Sequence, residues 1–241
     1  KDAENFEAYA PFIAEGWLKA VFAEAKITNG IGDPERWTSL LSPAAFQALK
    51  ERVDLEFDPA HRAAPGGDGK PAANAEQFGI NDPVKLRLHV KNVPKLIVKV
   101  FELNPLNHYL EHGSELSTDV SLDGLVANHE RTVEYDDAPV RRVARDFEFP
   151  EIGKQRGVWV VEFIGGGRSS RAVIRKGRLE ALTRIMSRGV VVSVLDEAHQ
   201  PVKGAAVWFG GRRIACDGNG RTPVPFTNDP GERTMVLEDG A

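Results

Sequence analysis

The sequence predicts a mainly β protein, two antiparallel β-sandwich domains preceded by a short α-helical segment. Three observations carry this. Apolar side chains in the first 57 residues recur at helical spacing, and from Val84 the period changes to two. Short strand candidates then follow one another to the end of the chain, with turn residues and no helix-length segment between them. Strands at such close intervals point to sandwiches of immunoglobulin-like type rather than to a sheet layered with helices.

The helical segment is expected over residues 1–57. Phe6, Tyr9, Ile13, Trp17 and Val21 fall three or four residues apart and make one face, with Glu7, Glu15 and Lys19 off that line. Trp17 is expected in the core, as are Trp37 and Trp159. Two later helix starts carry entry chemistry. Asp33-Pro34-Glu35 and Ser42-Pro43 each place an oxygen-bearing cap before a proline whose missing N–H costs nothing at the first helical position. Residues 58–81 concentrate proline, glycine and alanine with few large apolar groups, the composition of a linker or long loop.

The first sandwich is expected over 82–177. Val84, Leu86, Leu88 and Val90 alternate with Lys85, Arg87, His89 and Lys91, a half-buried strand with a wet face. Further strands are expected at 96–103, 116–122, 130–135, 143–149, 158–164 and 171–176. The run Val158 to Ile164 is apolar on both faces, as a central strand would be. The second sandwich is expected over 178–241, and as incomplete, with strands at 179–185, 189–195, 204–209, 213–216, 222–226 and 234–237. Gly210-Gly211 and Asp217-Gly218-Asn219-Gly220 mark two of its turns.

Composition narrows the function classes. The 241 residues are 41% hydrophobic and 27% charged, which suits a folded chain rather than a disordered one. The formal net charge of −4 supplies no global attraction to nucleic acid or anionic lipid, and no apolar run approaches the length of a membrane span. Cys216 is the only cysteine, so no internal disulfide is available. The first residues lack an initiating Met and a signal-type segment, and both ends read as cut from a longer polypeptide.

Chemical motifs are few. His108, Glu111 and His112 spell the H-x-x-E-H pattern of inverted zinc peptidases. That chemistry needs a long helix, and Pro105 and Gly113 enclose only a short stretch, so an exposed connecting turn is expected. Gly165-Gly166-Gly167 is followed by a strand rather than a helix, which suits a hairpin turn and not a phosphate loop. Asp217 to Gly220 resembles the opening of a calcium loop but lacks its terminal glutamate. No catalytic, metal or cofactor residues are assigned. Arg168, Arg171, Arg175, Lys176, Arg178, Arg184 and Arg188 concentrate positive charge, and a small basic patch is expected there. Arg168, Arg171, Arg175 and Lys176, with Trp208, are the candidate partner-binding residues; no aromatics interleave the arginines, which argues against nucleic acid.

Two stretches resemble known modules. Arg142 to Lys176, with Phe147-Glu148-Phe149-Pro150 followed by Gly157-Val158-Trp159-Val160-Val161, resembles the macroglobulin-type (MG) domains of alpha-2-macroglobulin-like proteins. Gly189 to Phe226, with Val192-Ser193-Val194-Leu195-Asp196 and the Asp217 turn, is similar to transthyretin-like or carboxypeptidase-regulatory-like β-domains. The thioester sequence Cys-Gly-Glu-Gln of the macroglobulin-like proteins does not occur, and Cys216 stands between Ala215 and Asp217. The resemblance implies a non-catalytic spacer and protein-contact fragment of a large exported or surface protein, without cofactor, with a protein partner or neighbouring domains of the same polypeptide. Two alternatives remain: a carbohydrate- or cell-surface-binding module using Tyr109 and Trp208, and an accessory region of a hydrolase or peptidase.

Overall fold

In the computed structural model, residues 6–57, 75–228 and 231–240 are described. Most of the expected linker, 58–74, lies outside them.

The helical segment follows its caps. Helices α1 (Glu15–Asn29), α2 (Pro34–Thr38) and α3 (Pro43–Glu51) form. The Asp33 carboxylate accepts from the Glu35 amide at 2.9 Å, and the Ser42 hydroxyl accepts from the Ala45 amide at 3.2 Å, each ahead of a proline. The expected buried face of the first helix requires correction. Pro11 interrupts the run, leaving a single 3-10 turn at Glu7–Tyr9 before α1. The stripe that packs is Ala23 and Ile27, with half-buried Phe22, against Trp37, Leu49 and Val140, and Leu18 is buried on the same helix. Tyr9, Ile13, Trp17 and Val21 face solvent, Trp17 being 60% exposed rather than in the core. Trp37 and Trp159 are buried as expected.

The strands of the first sandwich are β1 (Asp54–Phe57), β2 (Ala75–Phe78), β3 (Lys85–Lys91), β4 (Lys95–Leu103), β5 (His129–Glu134), β6 (Arg142–Glu148), β7 (Gly157–Gly165) and β8 (Arg168–Lys176). They form a three-stranded sheet of order β1-β3-β6 facing a five-stranded sheet of order β2-β8-β7-β4-β5. All pairs are antiparallel except β2 with β8. The core between the sheets holds Leu86, Leu88, Leu96, Val98, Phe149 and Ile174. The Phe163 ring is its hub, edge-on to Phe57, Phe147 and Phe149 at centroid distances of 5.7, 4.9 and 6.4 Å.

Strand β7 is central and buried on both faces. Trp159, Val161 and Phe163 enter the inter-sheet core, whereas Val158 and Val160 pack outward with Val173, Leu116 and Leu122. The expected strand at 116–122 does not form. This stretch is an irregular cover over the outer face, rich in turn-forming residues, in which the Ser117 hydroxyl bonds to the Asp119 carboxylate. Such local side-chain bonding competes with a ladder. Between β4 and this cover lies a further helix, α4 (Pro105–His112), where only a connecting turn was expected.

Lys91, expected on the wet face of its strand, is buried. Its ammonium donates to the carbonyls of Leu49 at 2.5 Å and Arg52 at 2.6 Å, at the end of α3, where free carbonyls need donors. Asn92 adds donations to the carbonyls of Lys50 and Glu51 at 3.0 and 3.2 Å. The helical segment is thereby latched to the first sandwich. Burial pushes the Lys91 ammonium below its ordinary range.

The second unit comprises β9 (Glu180–Met186), β10 (Gly189–Leu195), β11 (Ala206–Phe209), β12 (Arg212–Ala215), β13 (Arg221–Val224) and β14 (Met235–Glu238). Two three-stranded sheets, β13-β10-β9 and β12-β11-β14, enclose Val192, Val194, Ala205, Val207 and Val224. The join is short. Gly177 takes φ +76°, a left-handed conformation that other residues rarely adopt, and its carbonyl accepts from Gln77 at 2.8 Å. Arg156 reaches across from the first unit, pairing with Glu197 at 2.7 Å and Asp239 at 3.6 Å.

Candidate functional site

The five residues singled out from the sequence are not gathered on one surface. Arg168 sits exposed at the β7–β8 turn, where Gly166 and Gly167 take φ +57° and +74°. Arg171 and Arg175 share the outer face of β8 with Val173, which is the spacing argument fulfilled. Both are engaged within the chain. Arg171 donates to the Glu162 carboxylate at 2.8 Å and to the Val120 carbonyl at 3.1 Å, and Arg175 to the Glu115 carboxylate at 3.1 Å and to the Leu116 carbonyl at 2.8 Å. The pair acts as two posts that hold the 113–127 cover on the sheet. Lys176 is buried and donates to the Ile152 carbonyl at 3.1 Å.

Trp208 belongs to the second unit and is half-buried. Its indole N–H donates to Glu238 at 2.7 Å, and Arg213 grips the same carboxylate at 2.8 Å. The Arg213 hydrogen bond, then that of Trp208, holds the Glu238 carboxyl below its ordinary range.

The H-x-x-E-H motif lies on α4, a helix of eight residues capped by Asn104, whose side chain accepts from the Asn107 amide at 3.0 Å, and ended by Gly113 at φ +68°. The His108 and His112 rings stack with centroids 4.3 Å apart, His112 exposed and His108 half-buried. Among the described residues no group of three or more His, Cys, Asp or Glu side chains converges as a metal site. In the Asp217 turn the carboxylate accepts from the amides of Asn219 and Arg221, each at 2.9 Å, so it is directed at its own backbone.

Two surfaces that sequence reasoning did not single out are more open. One is the solvent face of α1 and the turn before it: Phe12 is 85% exposed, and Tyr9, Ile13, Trp17 and Val21 join it. The only sequence signal was the apolar periodicity itself, read as a core face. The other is β9, an edge strand exposed from Ala181 to Met186, with Leu182, Ile185 and Met186 open to solvent. No helix among the described residues is long and apolar enough to cross a membrane.

Comparison with known proteins adds a further line. Residues 1–53 match a family model described as the actin-binding protein F N-terminal domain, and residues 96–177 match one described as the AbpF first immunoglobulin-like domain. The chain is 30% identical over 235 residues to actin-binding protein F of Dictyostelium discoideum, a match that covers 97% of this chain. It spans 9% of that relative's length. Among solved structures it is similar to native alpha-2-macroglobulin from Escherichia coli spanning domains MG0-NIE-MG1, at 12% identity and TM-score 0.45, covering 78% of this chain and 64% of that one. A cryo-EM reconstruction of the same Escherichia coli protein matches at 13% identity and TM-score 0.44, covering 77% of this chain and 12% of that one. The expectation of an exported protein is overturned here: the curated relative is named for binding actin, which is a cytoplasmic polymer.

Proposed function

We propose that this chain is a non-catalytic, actin-contacting region of a larger protein, in which a helical unit is carried on a stiff pair of β-sandwiches. The observation that carries the reading is the continuity of its likeness to an actin-binding protein, which runs through the helical segment and both β units rather than stopping at one of them. The internal ties support a scaffold. The Lys91 and Asn92 latch joins helices to sandwich, and the Arg156 bridge joins sandwich to sandwich. A spacer that holds contacts at a fixed angle needs such ties, because unlinked domains move by default.

Under this reading the unit boundaries near residues 57, 81 and 177 separate a helical contact unit, a connection and two sandwiches. The second sandwich is transthyretin-like in pattern. Arg168 and Trp208 stay as candidate partner contacts, whereas Arg171, Arg175 and Lys176 serve the internal packing.

The test is high-speed co-sedimentation of the purified 241-residue chain with filamentous actin. Saturable recovery of the chain in the pellet, weakening only modestly with added salt, is expected. A chain that stays in the supernatant across the whole actin range overturns the reading.

A further inference from the structure

We infer that the exposed face of α1 and its leading turn, formed by Tyr9, Phe12, Ile13, Trp17 and Val21, is the surface that docks into an apolar groove of actin. This rests on the actin reading above and assigns it a place.

The face is not a frayed end left open by chance. The opposite side of α1 is pinned by Ala23 and Ile27 against Trp37 and Leu49, so Trp17 and Val21 are presented on a fixed helix, with Tyr9, Phe12 and Ile13 on the turn that leads into it. Burying one stripe and exposing a second means the helix is apolar on two sides, a pattern that fits an element covered from both. Three aromatic side chains of roughly 150–250 Å² each, open to the extents of 51% for Tyr9, 85% for Phe12 and 60% for Trp17, leave with the two aliphatics a patch on the order of 500 Å². That is at the upper end for an ordinary monomer surface and somewhat below one side of a standard protein interface. Its aromatic content is that of interface hot spots rather than of solvated surface.

Charge indicates what fits against it. The polar groups beside the stripe are already paired with each other, Glu15 with Lys19 at 2.6 Å and Glu24 with Arg52 at 2.5 Å, and the Lys19 ammonium also lies 6.0 Å from the centre of the Phe6 ring. A neutralised rim around apolar anchors at positions i, i+1, i+5 and i+9 (Phe12, Ile13, Trp17, Val21) calls for an apolar groove and not for a charged surface. Actin is the occupant that the surroundings favour, since the helix falls within the residues that resemble the N-terminal domain of an actin-binding protein. The exposed β9 edge differs in kind: among its open side chains Leu182, Ile185 and Met186 stands Arg184, with no carboxylate within ion-pair distance among the described residues.

The experiment measures binding isotherms on filamentous actin for the full chain, the double variant Phe12→Ser/Trp17→Ala, the conservative Trp17→Phe, and Ile185→Ser on β9 as a surface control. All three substituted side chains, Phe12, Trp17 and Ile185, are exposed, and superimposable melting curves establish intact folds. The double variant should bind at least about tenfold more weakly, with Trp17→Phe and Ile185→Ser within about twofold of the parent. Equal binding by parent and double variant refutes the docking face while leaving the actin reading in place. Failure of the parent itself to bind sinks both. Sedimentation velocity on the chain alone adds a last arm: a dimer that becomes a monomer in the double variant would give the face to a second copy and overturn the assignment to actin.

Discussion

Replacing Arg156 with Met removes the guanidinium that bridges the two sandwiches while retaining most of the apolar stem. Arg156 contacts Glu197 at 2.7 Å and Asp239 at 3.6 Å, and the three side chains are 21%, 27% and 22% exposed. A fully buried hydrogen bond to a charged group contributes about 1.5–3 kcal/mol and an exposed ion pair about 0.2–1 kcal/mol, so this partly shielded bridge should be worth about 1–2 kcal/mol. The loss falls on the docking of the second unit, which has the smaller core and should melt first. For a unit of that size, the corresponding drop in its melting temperature is about 5–15 °C.

The bridge also sets a pH dependence. Burial pushes the Glu197 carboxyl up, but the Arg156 hydrogen bond and the backbone amides of Glu197 and Arg178 outweigh it, leaving the group below its ordinary value of 4.5. A carboxyl depressed in the folded state stabilises at pH above that ordinary value and loses its contribution as pH falls through the folded value. Differential scanning calorimetry of parent and Arg156→Met between pH 3 and pH 7 should therefore show a gap that narrows below about pH 4.5. A variant whose second transition moves by less than about 1 °C at neutral pH would refute the bridge as a structural tie.

Other expectations follow from the packing. Val160→Asp places an unpaired charge on the fully buried outer face of β7 and should cost about 4 kcal/mol or more, seen as loss of cooperative melting of the first sandwich. Phe163→Leu removes the hub of three edge-on ring contacts and should cost about 2–4 kcal/mol by urea titration, with an unchanged slope. Lys91→Met strips the donor from the Leu49 and Arg52 carbonyls, costs about 1–3 kcal/mol, and should raise amide exchange across α3 with little change in β7. Arg171→Ala with Arg175→Ala should release the 113–127 cover, read as proteolytic cleavage there before the sandwich unfolds.

Strand existence was legible wherever alternation was strict, as in Val84 to Val90, and the two-faced run of β7 announced a central position because no exposed strand tolerates it. The Asp33 and Ser42 caps were legible for the same reason: their chemistry is local. Features decided by distant partners were not. Lys91 looks like any lysine on a wet face until the end of α3 arrives above it. Leu116 and Leu122 read as a strand because their burial was visible and the arginines taking the nearby carbonyls were not. β1 and β2 fell inside stretches of helical and linker composition and form because strands from elsewhere pair with them. On α1 the sequence carries two apolar stripes, and which one meets the core depends on Trp37, Leu49 and Val140. The proposed docking face was thus visible as a pattern and invisible as a surface.

The most direct test of the account is a hydrogen-exchange footprint of filamentous actin on the whole chain. Slowed exchange across residues 6–22, with the β7 and β10 amides unchanged, is the expected result. A chain whose amides exchange at the same rates with and without saturating actin would contradict the claim that it contacts actin at all.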